Sequence, residues 1–209
     1  MNATYNSITI VGCGNIGAYL ANAIALKSVE ENFVKKLILV DNDIIEHKNF
    51  PYVYQNLNKN KKNDINKYIG NPKVNLLKLL LKNLNHNLNI EINYIDYRYL
   101  SSITSHKGLI IDCRDTEDED SLFNLKISCE GIFGKIIINP ADTKCSATSP
   151  YILGLSKFYS SYFSHIIVNN YIIPLENYGK ERSVHILNLF SGKKYEYKSK
   201  NRNSSMENT

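Results

Sequence analysis

The chain has 209 residues, 43% hydrophobic and 22% charged, ordinary globular values that exclude a disordered or fibrous protein and suit one core-forming domain. No apolar run reaches the roughly 18 residues needed to span a bilayer, and no basic stretch leads into an N-terminal apolar segment, so a soluble, cytoplasmic protein is expected. The net charge of +5 gathers around Asn58 to Lys62 and Gly192 to Arg202 rather than along one helical stripe, which argues against a nucleic-acid partner.

The run Ser7 to Val11 is apolar and β-branched, Gly12, Gly14 and Gly17 interrupt it, and Ala18 to Leu26 resumes with small and apolar residues. This order predicts strand, tight turn and helix. Gly12 permits the turn, Gly14 lets a phosphate approach the backbone, and Gly17 lets the helix pack close to the strand. A second buried strand is expected over Lys36 to Val40, and it stops at Asp41, about 20 residues beyond the glycines, where dinucleotide folds place the acid that accepts ribose hydroxyls. Asp43 follows as a candidate organiser of phosphate or magnesium. Strand, helix and strand make one βαβ unit with a parallel pair.

Residues 49–63 are rich in Pro, Tyr, Asn and Lys without a period, an irregular excursion of the kind that often carries function. A helix is expected from Asn71-Pro72, with Asn as cap and Pro in the first turn, through Leu84. Asn89 to Asp96 and Leu109 to Ile111 read as strands, Ser121 to Glu130 as a helix, and Lys135 to Asn139 as a strand. Beyond a loop at Asp142 to Pro150, Ile152 to Ile167 reads as a helix, with strands at Tyr171 to Pro174 and Val184 to Phe190. The expected fold is α/β: a Rossmann-like, mostly parallel sheet with helices on both faces and extra strands in the last third. One domain covers 1–197, and 198–209 is a polar, disordered tail.

The glycine loop, the segment Asp41-Asn-Asp-Ile-Ile-Glu-His-Lys-Asn-Phe50, then Ile69-Gly-Asn-Pro-Lys-Val74 and Ile111-Asp-Cys-Arg-Asp115 together resemble the ThiF/MoeB/HesA family, the adenylating domain shared with ubiquitin-activating enzymes. The resemblance covers about the first two-thirds of the chain and implies ATP with Mg2+ as the nucleotide. It makes Asp41 the ribose acid, Asn49 the asparagine of an Asn-x-x-Arg motif, Lys73 the phosphate-contacting lysine, and Asp115 the aspartate that holds magnesium and the triphosphate. It also implies a ubiquitin-like or sulfur-carrier protein, or a peptide, as the partner whose C-terminal carboxylate is activated, and a homodimer as the assembly. Adenylation concentrates negative charge on the α-phosphate, which a lysine and a metal ion neutralise. The attacking carboxylate is already ionised and needs no general base.

The family's arginine is Tyr52 here, which brings no positive charge. Lys48, Lys59, Lys61, Lys62 and Arg114 are the cations that could replace it in space. The four cysteines, Cys13, Cys113, Cys129 and Cys145, form no zinc-spaced set, so no zinc is expected. Cys145, in a polar loop, is the thiol best placed to carry a thioester, with a buried or incidental role as the alternative for all four. Two further readings stay open: a non-catalytic relative that keeps the fold as a binding or assembly subunit, and an NAD-dependent oxidoreductase supported by the glycine loop and Asp41.

Overall fold

A computed structural model describes residues 5–47, 67–96, 98–99, 108–116, 120–130, 132–141, 153–178 and 180–198. Its centre is an eight-stranded sheet in the order β3-β2-β1-β4-β5-β6-β7-β8. The strands are β1 Ile8–Val11, β2 Lys36–Val40, β3 Asn89–Asn93, β4 Leu109–Asp112, β5 Leu125–Glu130, β6 Phe133–Ile138, β7 Ser183–Asn188 and β8 Lys194–Lys198. The first five strands pair in parallel and the last three add antiparallel. The strand order reverses between β1 and β4. In open α/β sheets the crevice at that reversal, beyond the carboxyl ends of the strands, is where ligands bind.

The helices are α1 Asn15–Glu31, α2 Lys73–Leu84 and α3 Leu153–Ile167, and α1 packs against both of the others. The main core lies under them. Ile8 and Ile10, Leu37 and Leu39, and Leu109 and Ile111 alternate toward it from the strands, and Leu20, Ile24, Leu77 and Phe163 meet them from the helices. Val11, Ile38, Val40 and Ile110 point to the other face, where Phe123 and Ile95 cover them in a smaller cluster. Strands buried on both faces explain why β1, β2 and β4 read as nearly continuous apolar runs.

Two sequence expectations are corrected and one strand is new. The helix expected over Ser121 to Glu130 is strand β5: Leu125, Ile127 and Cys129 all enter the main core, a period of two that outweighs helical spacing. The strand expected at Tyr171 to Pro174 is instead a π-helical turn, Val168–Ile172, which extends α3 and buries Val168, Tyr171 and Ile172. Strand β8 was not expected, because its residues Lys-Tyr-Glu-Tyr-Lys lack an apolar face and Tyr195 and Tyr197 stay exposed. The polar tail beyond Lys198 lies outside the described residues.

Gly134 on β6 marks a close approach of sheet and helix. A Cβ there would overlap the Phe163 ring, which is fully buried. Gly134→Ala is expected to cost about 1–3 kcal/mol through overpacking, measured by urea denaturation, and Phe163→Leu in the same chain should recover part of that loss. Among the described residues no helix is long and apolar enough to cross a membrane.

Candidate functional site

Gly12 follows β1 with φ +89°, and a Cβ on it would lie 2.8 Å from the Arg114 backbone nitrogen. Only glycine tolerates both that dihedral and the approach of the chain leaving β4. The ladder continues into this turn, since Gly12 N–H donates to the Val40 carbonyl (2.9 Å) and Cys113 N–H to the Val11 carbonyl (2.8 Å). A Cβ on Gly17 would strike the Gly12 carbonyl oxygen, so the first turn of α1 rests directly on the glycine loop. Gly14, between them, has no heavy atom within 4 Å of where its Cβ would be. It is the N-cap of α1 and provides no side-chain cap, and the first turn of the helix has no acid. Among the described residues nothing therefore stands beside Gly14 at the positive end of the α1 dipole, an arrangement suited to an anion.

Asp41 closes the loop from the side. Its Oδ2 accepts the Cys13 N–H at 2.6 Å and its Oδ1 accepts the Asp43 N–H at 2.7 Å. A carboxylate offers about four lone-pair sites, so acceptor capacity remains for two hydroxyl donors. Burial pushes the Asp41 carboxyl above its ordinary range, while the two amide bonds and the charge of Lys73 pull it down.

Lys73 opens α2. Residues after β2 are stitched to the segment before this helix by an antiparallel bridge between Ile44 and Pro72, by Ile45 N–H to the Asn71 carbonyl (2.8 Å) and by Gly70 N–H to the Ile45 carbonyl (3.0 Å). Lys73 N–H donates to the Asp43 carbonyl at 3.0 Å, and its ammonium reaches Asp43 Oδ2 at 2.7 Å. The lysine side chain is 10% exposed and that of Asp43 64%. Asp43 thus engages Lys73, a partner 30 residues away that the sequence did not indicate.

The geometry brings Gly12, Gly14, Gly17, Asp41, Asp43 and Lys73 together where β1 and β2 end and α1 and α2 begin. Asp115 is exposed just beyond β4. Asn49, Tyr52, Cys145, Lys48, Lys59, Lys61 and Lys62 lie outside the described residues.

The described cation among the arginine substitutes, Arg114, is engaged on the other face of the sheet. Its Nε and Nη2 fork onto Asp112 at 2.8 and 2.9 Å, and its backbone N–H adds a third bond at 3.0 Å. The guanidinium lies over the Phe123 ring, in the cluster opposite the helices. Lys126 Nζ reaches the same carboxylate at 2.9 Å. Asp112 is fully buried, and Lys126 is 5% exposed. Sequence reasoning missed this triad, whose one signal was a lysine inside an apolar alternation.

Cys13, Cys113 and Cys129 are buried and outside any disulfide. Burial pushes the Cys13 and Cys113 thiols up, with the charges of Asp41 and Asp112 adding to it. Neither suits a nucleophile.

No protein-family model matches the chain, and no curated protein does. Solved structures do match its fold. A structure of PaaA aligns with a TM-score of 0.62 at 16% identity, over 92% of this chain and 64% of that one. E. coli MccB with ATP aligns with a TM-score of 0.61 at 14% identity, over 92% and 63%, and E. coli MccB with MccA gives 0.62 at 14% over the same shares. The chain therefore shares the Rossmann-like α/β fold of these structures, and it spans less than two-thirds of their length.

Proposed function

We propose that this chain binds ATP and adenylates the C-terminal carboxylate of a peptide or of a small ubiquitin-like or sulfur-carrier protein. The observation that carries the reading is the convergence, where β1 and β2 end, of the α1 N-terminus at Gly14, which has no side-chain cap, a buried carboxylate with spare acceptor capacity at Asp41, and the Lys73 cation. The MccB structures of the same fold contain ATP in one case and MccA in another, which supports a nucleotide together with a second substrate.

In this reading Asp41 accepts from the ribose hydroxyls, and the amides at the start of α1 take the phosphates. Lys73 offsets the charge that gathers on the α-phosphate. An oxygen of the ionised carboxylate bonds to the α-phosphorus, the bond from that phosphorus to the bridging oxygen breaks, and pyrophosphate leaves with the electron pair. A magnesium ion bound with the nucleotide would keep several waters and take phosphate oxygens and one or two protein carboxylates, for which Asp115 is exposed; it would offset charge on the triphosphate. A homodimer is the assembly we propose.

One observation favours the non-catalytic relative instead. Arg114 does not deliver the charge that Tyr52 lacks, since Asp112 holds its guanidinium on the opposite face. The two readings part in a thermal-shift and pyrophosphate-exchange experiment with Mg-ATP, ATP alone and NAD, on the wild type and Lys73→Met. Selective ligands raise the melting temperature by mass action. We expect ATP to raise it by several degrees and Lys73→Met to remove most of that shift. Exchange of labelled pyrophosphate into ATP, with free-carboxyl peptides but not their amides, establishes adenylation. ATP binding without exchange on any peptide supports the non-catalytic reading, and a shift with NAD alone overturns both.

A further inference from the structure

We propose that Asp43 is an anion gate on Lys73: its carboxylate occupies the lysine ammonium in the free protein and must be displaced by a ligand phosphate. The proposal deepens the nucleotide reading of the same site and rests on it for the identity of the ligand, though not for the gate itself.

The two partners are built differently. The backbone and stem of Lys73 are placed independently of the Asp43 carboxylate: the stem is buried, the N–H is held by the Asp43 carbonyl, and the Ile44–Pro72 bridge fixes the start of α2. The Asp43 carboxylate is 64% exposed and sits 2.7 Å from the ammonium. What the carboxylate adds is mainly charge, and that charge has the same sign as a phosphate. The nearby Asp41 carboxylate, oriented by the Cys13 and Asp43 amides, adds more negative potential. A phosphate approaching the open space at Gly14 thus meets a lysine already neutralised, and binding requires an exchange in which Lys73 passes to phosphate and Asp43 returns to solvent. A group that oriented Lys73 would instead favour the ligand. The sign of the effect of removing the charge therefore separates a gate from a positioning residue.

The test is calorimetric titration, without magnesium, of ATP, inorganic triphosphate and adenosine into the wild type, Asp43→Asn, Asp43→Ser and Asp43→Glu. The two uncharged variants should bind ATP and triphosphate about tenfold tighter, the scale of one unit charge a few ångströms away at a partly exposed site. Adenosine binding should not change, Asp43→Glu should behave as wild type, and the gain should shrink as salt screens it. Adding Lys73→Met to Asp43→Asn should remove the gain. If the uncharged variants bind phosphate ligands no tighter than wild type while ATP still binds, the gate is wrong and the nucleotide reading stands. If triphosphate shows the tenfold gain but adenosine and ATP are not preferred, the gate stands and the nucleotide reading falls. If no ligand binds any of these proteins, and ATP with magnesium added does not bind the wild type either, both fall.

Discussion

Gly17→Ala is expected to be strongly destabilised, whereas Gly14→Ala, three residues earlier in the same loop, is expected to fold with near-normal stability and to lose its ligand. At Gly17 the new methyl would be driven into the Gly12 carbonyl oxygen, with the Cys113 Cβ at 3.2 Å beside it. That oxygen is backbone and cannot swing aside as a side chain would. Gly12 is itself pinned, by its N–H bond to Val40 and its contact with the Arg114 backbone. Relief would require α1 to lift from β1 and would open the core around Leu20 and Ile24. A loss of at least about 3 kcal/mol follows, a large part of the 5–15 kcal/mol that holds a typical domain together. At Gly14 the methyl meets nothing within 4 Å and φ is −69°, so the cost is that of an alanine N-cap, about 0.5–1 kcal/mol. The methyl would nevertheless stand in the space over the helix N-terminus, and ATP affinity should fall at least tenfold. Circular dichroism melts with a binding titration check both halves. A stable Gly17→Ala protein would mean that α1 does not rest on the loop, and a Gly14→Ala protein with full affinity would place the phosphates elsewhere.

What could be read from the sequence followed from how local each signal was. The unit β1, glycine loop, α1 and β2 was legible because spacing alone fixes it: glycines at 12, 14 and 17 between an apolar strand and a small-residue helix, then an acid at the end of the next strand. The place of Lys73 at the start of α2 was legible from Asn71-Pro72, with the boundary off by one position: Pro72 is the N-cap and Asn71 turns its amide to the Lys67 carbonyl. Strand β5 was misread because Leu122, Leu125 and Cys129 sit at helical spacing, and the evidence for a strand lay in its partners. Lys126 is buried against Asp112 of β4, and Cys129 pairs with Gly134 of β6. The π-helical turn was misread because Tyr171 to Pro174 is aromatic and β-branched, while burial of Val168, Tyr171 and Ile172 follows from its continuity with α3. The Asp43 and Lys73 pair was out of reach for the same reason, since nothing near either residue names the other.

Asp112→Ala is the second substitution with a large expected effect, and its size comes from charge rather than from packing. The carboxylate is fully buried and balances two cations, Arg114 and Lys126, whose side chains are 15% and 6% exposed. Removing it leaves two desolvated positive charges side by side at the end of β4, and removal of one member of a buried ionic group costs about 3–5 kcal/mol. Lys126→Met is a different loss. Asp112 keeps the Arg114 fork and its backbone N–H bond, methionine keeps much of the apolar stem, and the net change should be about 1 kcal/mol or less in either direction. Combining the two substitutions then separates charge from volume. If an uncompensated lysine charge makes up part of the Asp112→Ala penalty, the double variant should be more stable than Asp112→Ala alone, a coupling of about 1–2 kcal/mol within the range seen for residues in one network. If the penalty is only a cavity, the effects of the two substitutions should simply add and the coupling should be near zero. Urea denaturation of the four proteins decides between these. The outcome also bears on the site, because the turn bonded to Asp112 presses against Gly12 and leads directly into Asp115, so variants that loosen it should weaken nucleotide binding in the same rank order as they weaken the fold.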